Sequence, residues 1–141
     1  LLVTGVNSVG YDAAERERRS ERYAAAWRSA EDAGVQVIVL ADNPAVPQSA
    51  QDCVASTTRF TASTCAFPRA ESLMEVDPLR PAAEASGATL IDLGDGFCTE
   101  DLCPMELGGV LVYRDLHHIT ATFSRSLAPY LADGITDALA R

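Results

Sequence analysis

Lysine is absent from the sequence, and its eleven basic residues, all arginine, face 20 acidic ones. The resulting net charge of −9 argues against binding to nucleic acid or to an anionic membrane surface. Aromatic residues are scarce, at 6% of the 141 residues, but 48% are hydrophobic, which is typical of a globular domain. A chain of this length buries about 68–70% of its unfolded surface, so it requires neither a metal nor a disulfide merely to fold.

Long hydrophobic runs are also missing. The longest, residues 35–41, is interrupted by Gln36, whereas a membrane-spanning helix needs about 20 apolar residues. The chain has no initiator methionine and no signal-peptide pattern, and it opens directly in an apolar run, residues 1–5, that is typical of a buried strand. Since natural polypeptides rarely begin inside a core strand, we expect this chain to be a piece of a longer one.

The first forty residues predict a βαβ unit. Residues 13–33 carry an apolar stripe at helical spacing, and Gly34 follows where a glycine commonly ends a helix. Residues 35–40 are almost continuously apolar, as expected of a parallel strand. Strand, helix and strand in this order predict a right-handed crossover. The polar stretch that follows, residues 42–68, is predicted to be irregular, and a loop of this length is usually functional or pinned.

The remaining sequence extends the alternation of helices and strands. It predicts a helical region over residues 69–85 that breaks at Asp77-Pro78 and a third strand over residues 88–93. Residues 105–113 are predicted to form a small hairpin or an irregular extended excursion. A final helix begins after Thr120 as its N-cap, and we expect Pro129 to kink it. The order predicts one α/β domain, residues 1–141, with three α/β/α layers and a parallel sheet.

The four cysteines form two local pairs along the chain: Cys53 with Cys65, and Cys98 with Cys103. Four cysteines allow three pairings, and the sequence does not choose among them, although pairing by proximity is the simplest. Disulfides would place the domain in an oxidising compartment. The alternative is a zinc site formed by Cys98, Cys103, His117 and His118. Disulfides are favoured, because the side chains of adjacent histidines diverge.

The segment richest in residues that can take part in a reaction is residues 113–120, just before the final helix. Loops at such positions bind ligands in α/β folds. Asp115 and His118 lie three residues apart, so the carboxylate can accept a hydrogen bond from one imidazole nitrogen and leave the other free as a general base. The alternative is structural: Asp115 caps the turn, and His118 is an ordinary surface histidine.

The surrounding residues resemble a known family. Cys98 to Cys103, Gly108-Gly109, Tyr113-Arg114-Asp115 and His118-Ile119-Thr120 match, in order, a pattern of SGNH (GDSL-like) domains. The closest likeness is to the SGNH domains fused behind the membrane-embedded acyltransferase-3 (AT3) domain of bacterial envelope O-acyltransferases. Cys53 and Cys65 also suit that family. The resemblance covers essentially the whole chain, and its specific part is residues 97–120.

The resemblance implies a flavodoxin-like fold in which His118 is the general base and Asp115 orients it. His117 falls in a variable position of the motif and would be the base only if the register were different. The family's nucleophilic serine, in a Gly-Asp-Ser segment, has no counterpart here, because Gly96 follows Gly94-Asp95. We therefore expect the serine, with its strand, to lie outside this chain, and the chain alone to be inactive.

Another sequence motif of the family is matched in part. Asn7, in Gly5-Val6-Asn7-Ser8, is placed to donate to an oxyanion, although Ser8 stands where the family has aspartate and such a pair also suits an ordinary turn. Ser8 is a poor nucleophile candidate, because the G-x-S-x-G string is absent.

The resemblance implies a function outside the cytoplasm. A membrane AT3 domain of the same polypeptide would deliver an acyl group, expected to be acetyl, and the serine would pass it to a carbohydrate hydroxyl. The domain would lie at the extracytoplasmic face of a bacterial cell membrane or be secreted, with no cofactor, metal or nucleic acid involved. The alternatives are a secreted carbohydrate esterase and a non-catalytic, disulfide-pinned envelope or carbohydrate-binding module that makes its contacts through residues 42–68.

Overall fold

The computed structural model describes residues 1–5, 10–59, 61 and 63–141. These residues contain seven β-strands: β1 (Leu2–Thr4), β2 (Ile38–Leu40), β3 (Phe67–Pro68), β4 (Thr89–Ile91), β5 (Leu102–Cys103), β6 (Glu106–Leu107) and β7 (Val110–Leu111). They also contain four α-helices: α1 (Ala13–Asp32), α2 (Gln48–Ser56), α3 (Leu79–Ser86) and α4 (Ala121–Leu139). None of the helices in these ranges is long and apolar enough to cross a membrane.

The chain divides into two compact units, and the first holds the parallel sheet. This unit comprises Leu1–Asp42, Val76–Asp92 and Tyr130–Arg141. Its strands are ordered β1-β2-β4 and run parallel, with Val3 beside Val39 and Val39 beside Leu90. Its core consists of buried apolar residues from α1, α3 and the residues in and beside β2: Ala24, Trp27, Val37, Val39, Leu79, Ala82 and Ala83. The α/β class with a parallel sheet, predicted from the sequence, is confirmed.

The connection from α1 to β2 shows how local chemistry sets element ends. Gly34 has a φ of +80°, and its N–H donates to the Glu31 carbonyl at 2.9 Å, as expected of a glycine that ends a helix. The Glu31 carboxylate then accepts from the Val37 N–H at 2.7 Å. Because that N–H is engaged by a side chain, β2 begins at Ile38, three residues later than predicted.

The second unit comprises Asn43–Glu75 and Leu93–Pro129 and is built around small antiparallel pairs. β3 pairs with β5, and β6 pairs with β7 in the hairpin predicted around Gly108-Gly109. Both glycines have positive φ, +60° and +83°, which the tight turn requires. The core is aromatic and sulfur-rich, with buried side chains that include Phe67, Met74, Phe97, Cys98, Cys103, Met105, Tyr113 and Phe123.

The stretch over residues 42–68 is not irregular throughout, because α2 lies within it. Ala50 is buried in this helix, and Val54, four residues later, packs against the same core. The helix therefore has a narrow apolar face, and its other residues are mostly polar. The predicted break at Asp77-Pro78 is present: 3₁₀ turns precede Pro78, and α3 begins at Leu79.

Two disulfides, Cys53–Cys65 and Cys98–Cys103, lie in the second unit. The first joins α2 to the segment that leads into β3, and the Thr57 hydroxyl lies within 3.8 Å of both of its sulfurs. The second is inside the core, where the Cys98 and Cys103 side chains are buried. Both pairs are the ones that proximity favours.

Removal of the Cys53–Cys65 disulfide is expected to lower the free energy of unfolding by about 3 kcal/mol, because the unfolded chain regains the entropy of a loop spanning 12 residues. The variant is Cys53→Ser/Cys65→Ser, measured by urea denaturation without reductant. Wild-type protein measured with reductant should lose at least as much stability. Four free thiols on titration of the unreduced, denatured wild type would contradict both disulfides.

Candidate active site

The segment between β7 and α4 closes on itself as a hydrogen-bonded loop, residues 113–119. Tyr113 and Ile119 form an antiparallel bridge at its base. Inside that bridge, the Arg114 N–H donates to the His118 carbonyl at 2.8 Å. These bonds bring the two ends of the loop together, so Asp115 and His118 lie on a short, closed backbone.

Both ends of the loop are anchored in the second unit. Tyr113 is 1% exposed and packs between Phe67 and Phe97, with ring centroids at 6.0 and 6.3 Å. At the other end, Thr120 caps α4, since its hydroxyl accepts from the Phe123 N–H at 3.2 Å. The same hydroxyl donates to the Leu111 carbonyl at 2.6 Å. The predicted N-cap is therefore present, and it ties α4 to β7.

A distant segment also holds the loop. The Val46 N–H donates to the Leu116 carbonyl at 2.9 Å, and the Asn43 side-chain amide donates to the His117 carbonyl at 3.1 Å. Sequence reasoning did not identify these contacts. Asn43 follows β2 closely, which is a common position for functional residues in α/β folds, but nothing in the sequence pairs it with a turn 74 residues away.

Asp115 and His118 are in direct contact. The His118 Nδ1 atom lies 2.8 Å from Asp115 Oδ1 and 3.0 Å from Oδ2. An ionised carboxylate can only accept hydrogen bonds, so Nδ1 carries the proton in this pair, and in the neutral imidazole the lone pair is on Nε2. Nε2 has no hydrogen-bond partner among the residues that the structure describes, and the His118 side chain is 64% exposed. A base in this tautomer is ready to take a proton.

Backbone hydrogen bonds keep Asp115 ionised. Its Oδ1 atom accepts from the His117 N–H at 3.0 Å and from the His118 N–H at 2.9 Å. The His117 N–H, followed by the ring and backbone of His118 and by Arg114, holds the pKa of the Asp115 carboxyl well below its usual range. The capping role that the sequence left open is thus real, and the same carboxylate performs it while it contacts the imidazole.

The structure gives a different outcome for each of the other candidate residues. The His117 ring makes no hydrogen bond or ion pair within the described part of the chain; only its backbone serves Asp115 and Asn43. Cys98 and Cys103 are bonded to each other, so their thiolates are not available for the zinc alternative. Asn7 and Ser8 lie outside the described residues, so the oxyanion assignment of Asn7 stays a prediction.

Comparison with known proteins supplies the family. A family model described as "SGNH domain (fused to AT3 domains)" matches residues 3–133, which includes the whole loop at residues 113–119. Neither the curated proteins nor the solved structures contain a significant match to the chain. The family match covers far more than half of the sequence and agrees with the likeness noted from its motifs. The chain therefore belongs to the family of SGNH domains that are fused to AT3 domains.

Proposed function

We propose that this chain is the extracytoplasmic SGNH part of a bacterial cell-envelope O-acyltransferase. Membership of the family supports an esterase or acyltransferase type of activity. The observation that carries the proposal is the contact between Asp115 and the His118 Nδ1 atom, which leaves the exposed Nε2 atom as a base. In the proposed reaction, an AT3 domain of the same polypeptide supplies the acyl group, expected to be acetyl, and a carbohydrate hydroxyl accepts it.

The proposed chemistry has two steps on a serine outside this chain. In the first, His118 Nε2 takes the serine proton as the oxygen attacks the acyl carbonyl carbon, and the donor group leaves with that proton. In the second, Nε2 takes the proton of the acceptor hydroxyl, the new ester forms, and the serine oxygen leaves and is reprotonated. Asp115 holds the productive tautomer throughout and stabilises the imidazolium that forms in each step.

Each tetrahedral intermediate carries a negative oxygen that needs hydrogen-bond donors. We assign this role to the Asn7 side-chain amide together with backbone N–H groups. The assignment rests on the family motif and on the position of Asn7 just after β1, which ends at Thr4.

The proposed location is the outer face of the cell membrane, with the domain tethered through the AT3 domain, and secretion is the alternative. Support comes from the two disulfides, Cys53–Cys65 and Cys98–Cys103, because disulfides persist in oxidising compartments and are rare in the cytosol.

A carbohydrate esterase is the second candidate, because membership of the family supports an esterase as well as an acyltransferase type of activity. In an esterase, water would replace the sugar hydroxyl in the second step. The proton transfers would otherwise be the same, so the acceptor alone distinguishes an esterase from a transferase.

The decisive experiment follows the acyl group in the full-length protein that contains this domain. Membranes carrying that protein are given an acetyl donor with a labelled acetyl group, together with envelope polysaccharide. Label recovered as polysaccharide ester supports the transferase. Release of acetate from acetylated polysaccharide, with no transfer, replaces it with the esterase. Polysaccharide binding without either reaction would leave the non-catalytic module and overturn the catalytic proposal.

A further inference from the structure

The Asp115 carboxylate has a second side-chain partner besides His118. The Arg114 guanidinium approaches Oδ2 through two atoms, Nε and Nη2, each at 3.2 Å. Oδ1, by contrast, is occupied by the backbone N–H groups of His117 and His118 and by the His118 ring. The backbone groups thus occupy Oδ1, and Arg114 contacts Oδ2, which no backbone group occupies within the described part of the chain.

This division matters because the imidazole contacts both oxygens. Nδ1 lies 2.8 Å from Oδ1 and 3.0 Å from Oδ2, so the direction of the ring depends on the plane of the carboxylate. Rotation of the carboxylate about its terminal bond is a soft motion that moves both oxygens together, and the backbone bonds on Oδ1 oppose it. The contact on Oδ2 opposes the same rotation at the other oxygen, and the planar guanidinium supplies two N–H groups for it.

The ion pair between Arg114 and Asp115 contributes little to the stability of the fold. Its side chain is 66% exposed and that of Asp115 is 42% exposed. Ion pairs at this level of exposure have little effect on stability, because water screens them and both side chains lose freedom. A substitution at Arg114 is therefore expected to leave the fold in place, so that a loss of activity can be assigned to the site.

We propose that Arg114 is a positioning residue for the acyl transfer: it completes, from Oδ2, the restraint on the plane of the Asp115 carboxylate and thereby aims the His118 ring. This inference rests on the proposed function. Arg114 acts through Asp115 and not on the substrate, so it affects the rate of the chemical steps and leaves substrate binding unchanged.

The kinetic test uses the full-length protein. Arg114→Ala is expected to lower kcat about tenfold, with KM unchanged, because a small misalignment of a base is costly. Arg114→Lys should fall between this variant and wild type, since an ammonium offers charge without the planar fork. Arg125→Ala, an exposed arginine of α4 in the same unit, is the matched control and should match wild type. An unchanged kcat for Arg114→Ala, or an effect confined to KM, overturns the proposal.

A second measurement does not depend on acyl transfer. Nitrogen-15 NMR of the His118 ring should show the tautomer with the proton on Nδ1 in wild type, and in Arg114→Ala the Nδ1 signal should shift and broaden as the ring samples more than one orientation. Identical ring signals in the two proteins overturn the proposal for Arg114. Failure of the proposed function has a different signature: His118→Ala would keep full acyl transfer, while the NMR comparison would still report on Arg114.

Discussion

Replacement of His118 by alanine should lower kcat for acyl transfer about 10⁴-fold or more, since loss of a triad histidine costs at least this much in serine enzymes. The physical reason lies in the pairing with Asp115, which leaves His118 Nε2 as the proton acceptor. Without it, neither the serine nor the acceptor hydroxyl is deprotonated as it attacks. The measurement is the initial rate of labelled acetyl transfer by the full-length protein. KM should change little, because the lost interaction serves the transition state.

The neighbouring histidine supplies the matched control. His117→Ala removes an imidazole one residue away but keeps the backbone N–H that Asp115 accepts and the carbonyl that Asn43 contacts. This variant should retain activity close to wild type. The opposite result, loss in His117→Ala and retention in His118→Ala, would assign the base to His117. Retention of activity in both variants would mean that neither histidine is the general base.

Several features were predictable because they depend on neighbouring residues in the chain. Gly34 ends α1, and Gly108-Gly109 makes the β6–β7 turn, since glycine adopts positive φ at little cost. The proline at position 78 stops the preceding segment because it excludes helical geometry from the residue before it. The contact between Asp115 and His118 belongs to the same class, because a turn brings residues three apart within reach of one another.

Features that depend on distant partners were not predictable. The Asn43 amide reaches the His117 carbonyl across 74 residues, and no local pattern encodes that pairing. The late start of β2 was also not predictable, although its partner is only six residues away, because it depends on the direction of the Glu31 side chain, which reaches the Val37 N–H. Helix α2 was not predicted because only two of its residues, Ala50 and Val54, pack into the core of the second unit. Two apolar residues among polar neighbours do not make a recognisable helical pattern. The sequence thus predicted the contact between Asp115 and His118 but not the segment that supports it.

Replacement of Asp115 by asparagine should lower kcat about 10⁴-fold, as the equivalent change does in other serine enzymes. An amide can turn its NH₂ group toward His118 Nδ1, where the carboxylate now accepts at 2.8 Å. Nδ1 then becomes the acceptor and the proton moves to Nε2, so the ring has no lone pair to offer the serine. The measurement is again acetyl transfer by the full-length protein. Asp95→Asn, at a 95% exposed carboxylate of the same unit that pairs with Arg69, should leave the rate unchanged.

The same variant also reports on the charge of Asp115 through the pH dependence of stability. The folded-state pKa of Asp115 lies below its unfolded value, so the folded protein binds this proton more weakly than the unfolded chain does. The resulting stabilisation is complete above the unfolded pKa of about 3.9 and is lost as the pH falls through the folded pKa. Urea denaturation should therefore show wild type more stable than Asp115→Asn at pH 7, with the difference shrinking steadily below about pH 4. A difference that stays constant down to pH 2 would mean that the ionised carboxylate is not what the loop stabilises, and the tautomer argument for the loss of activity would fail with it.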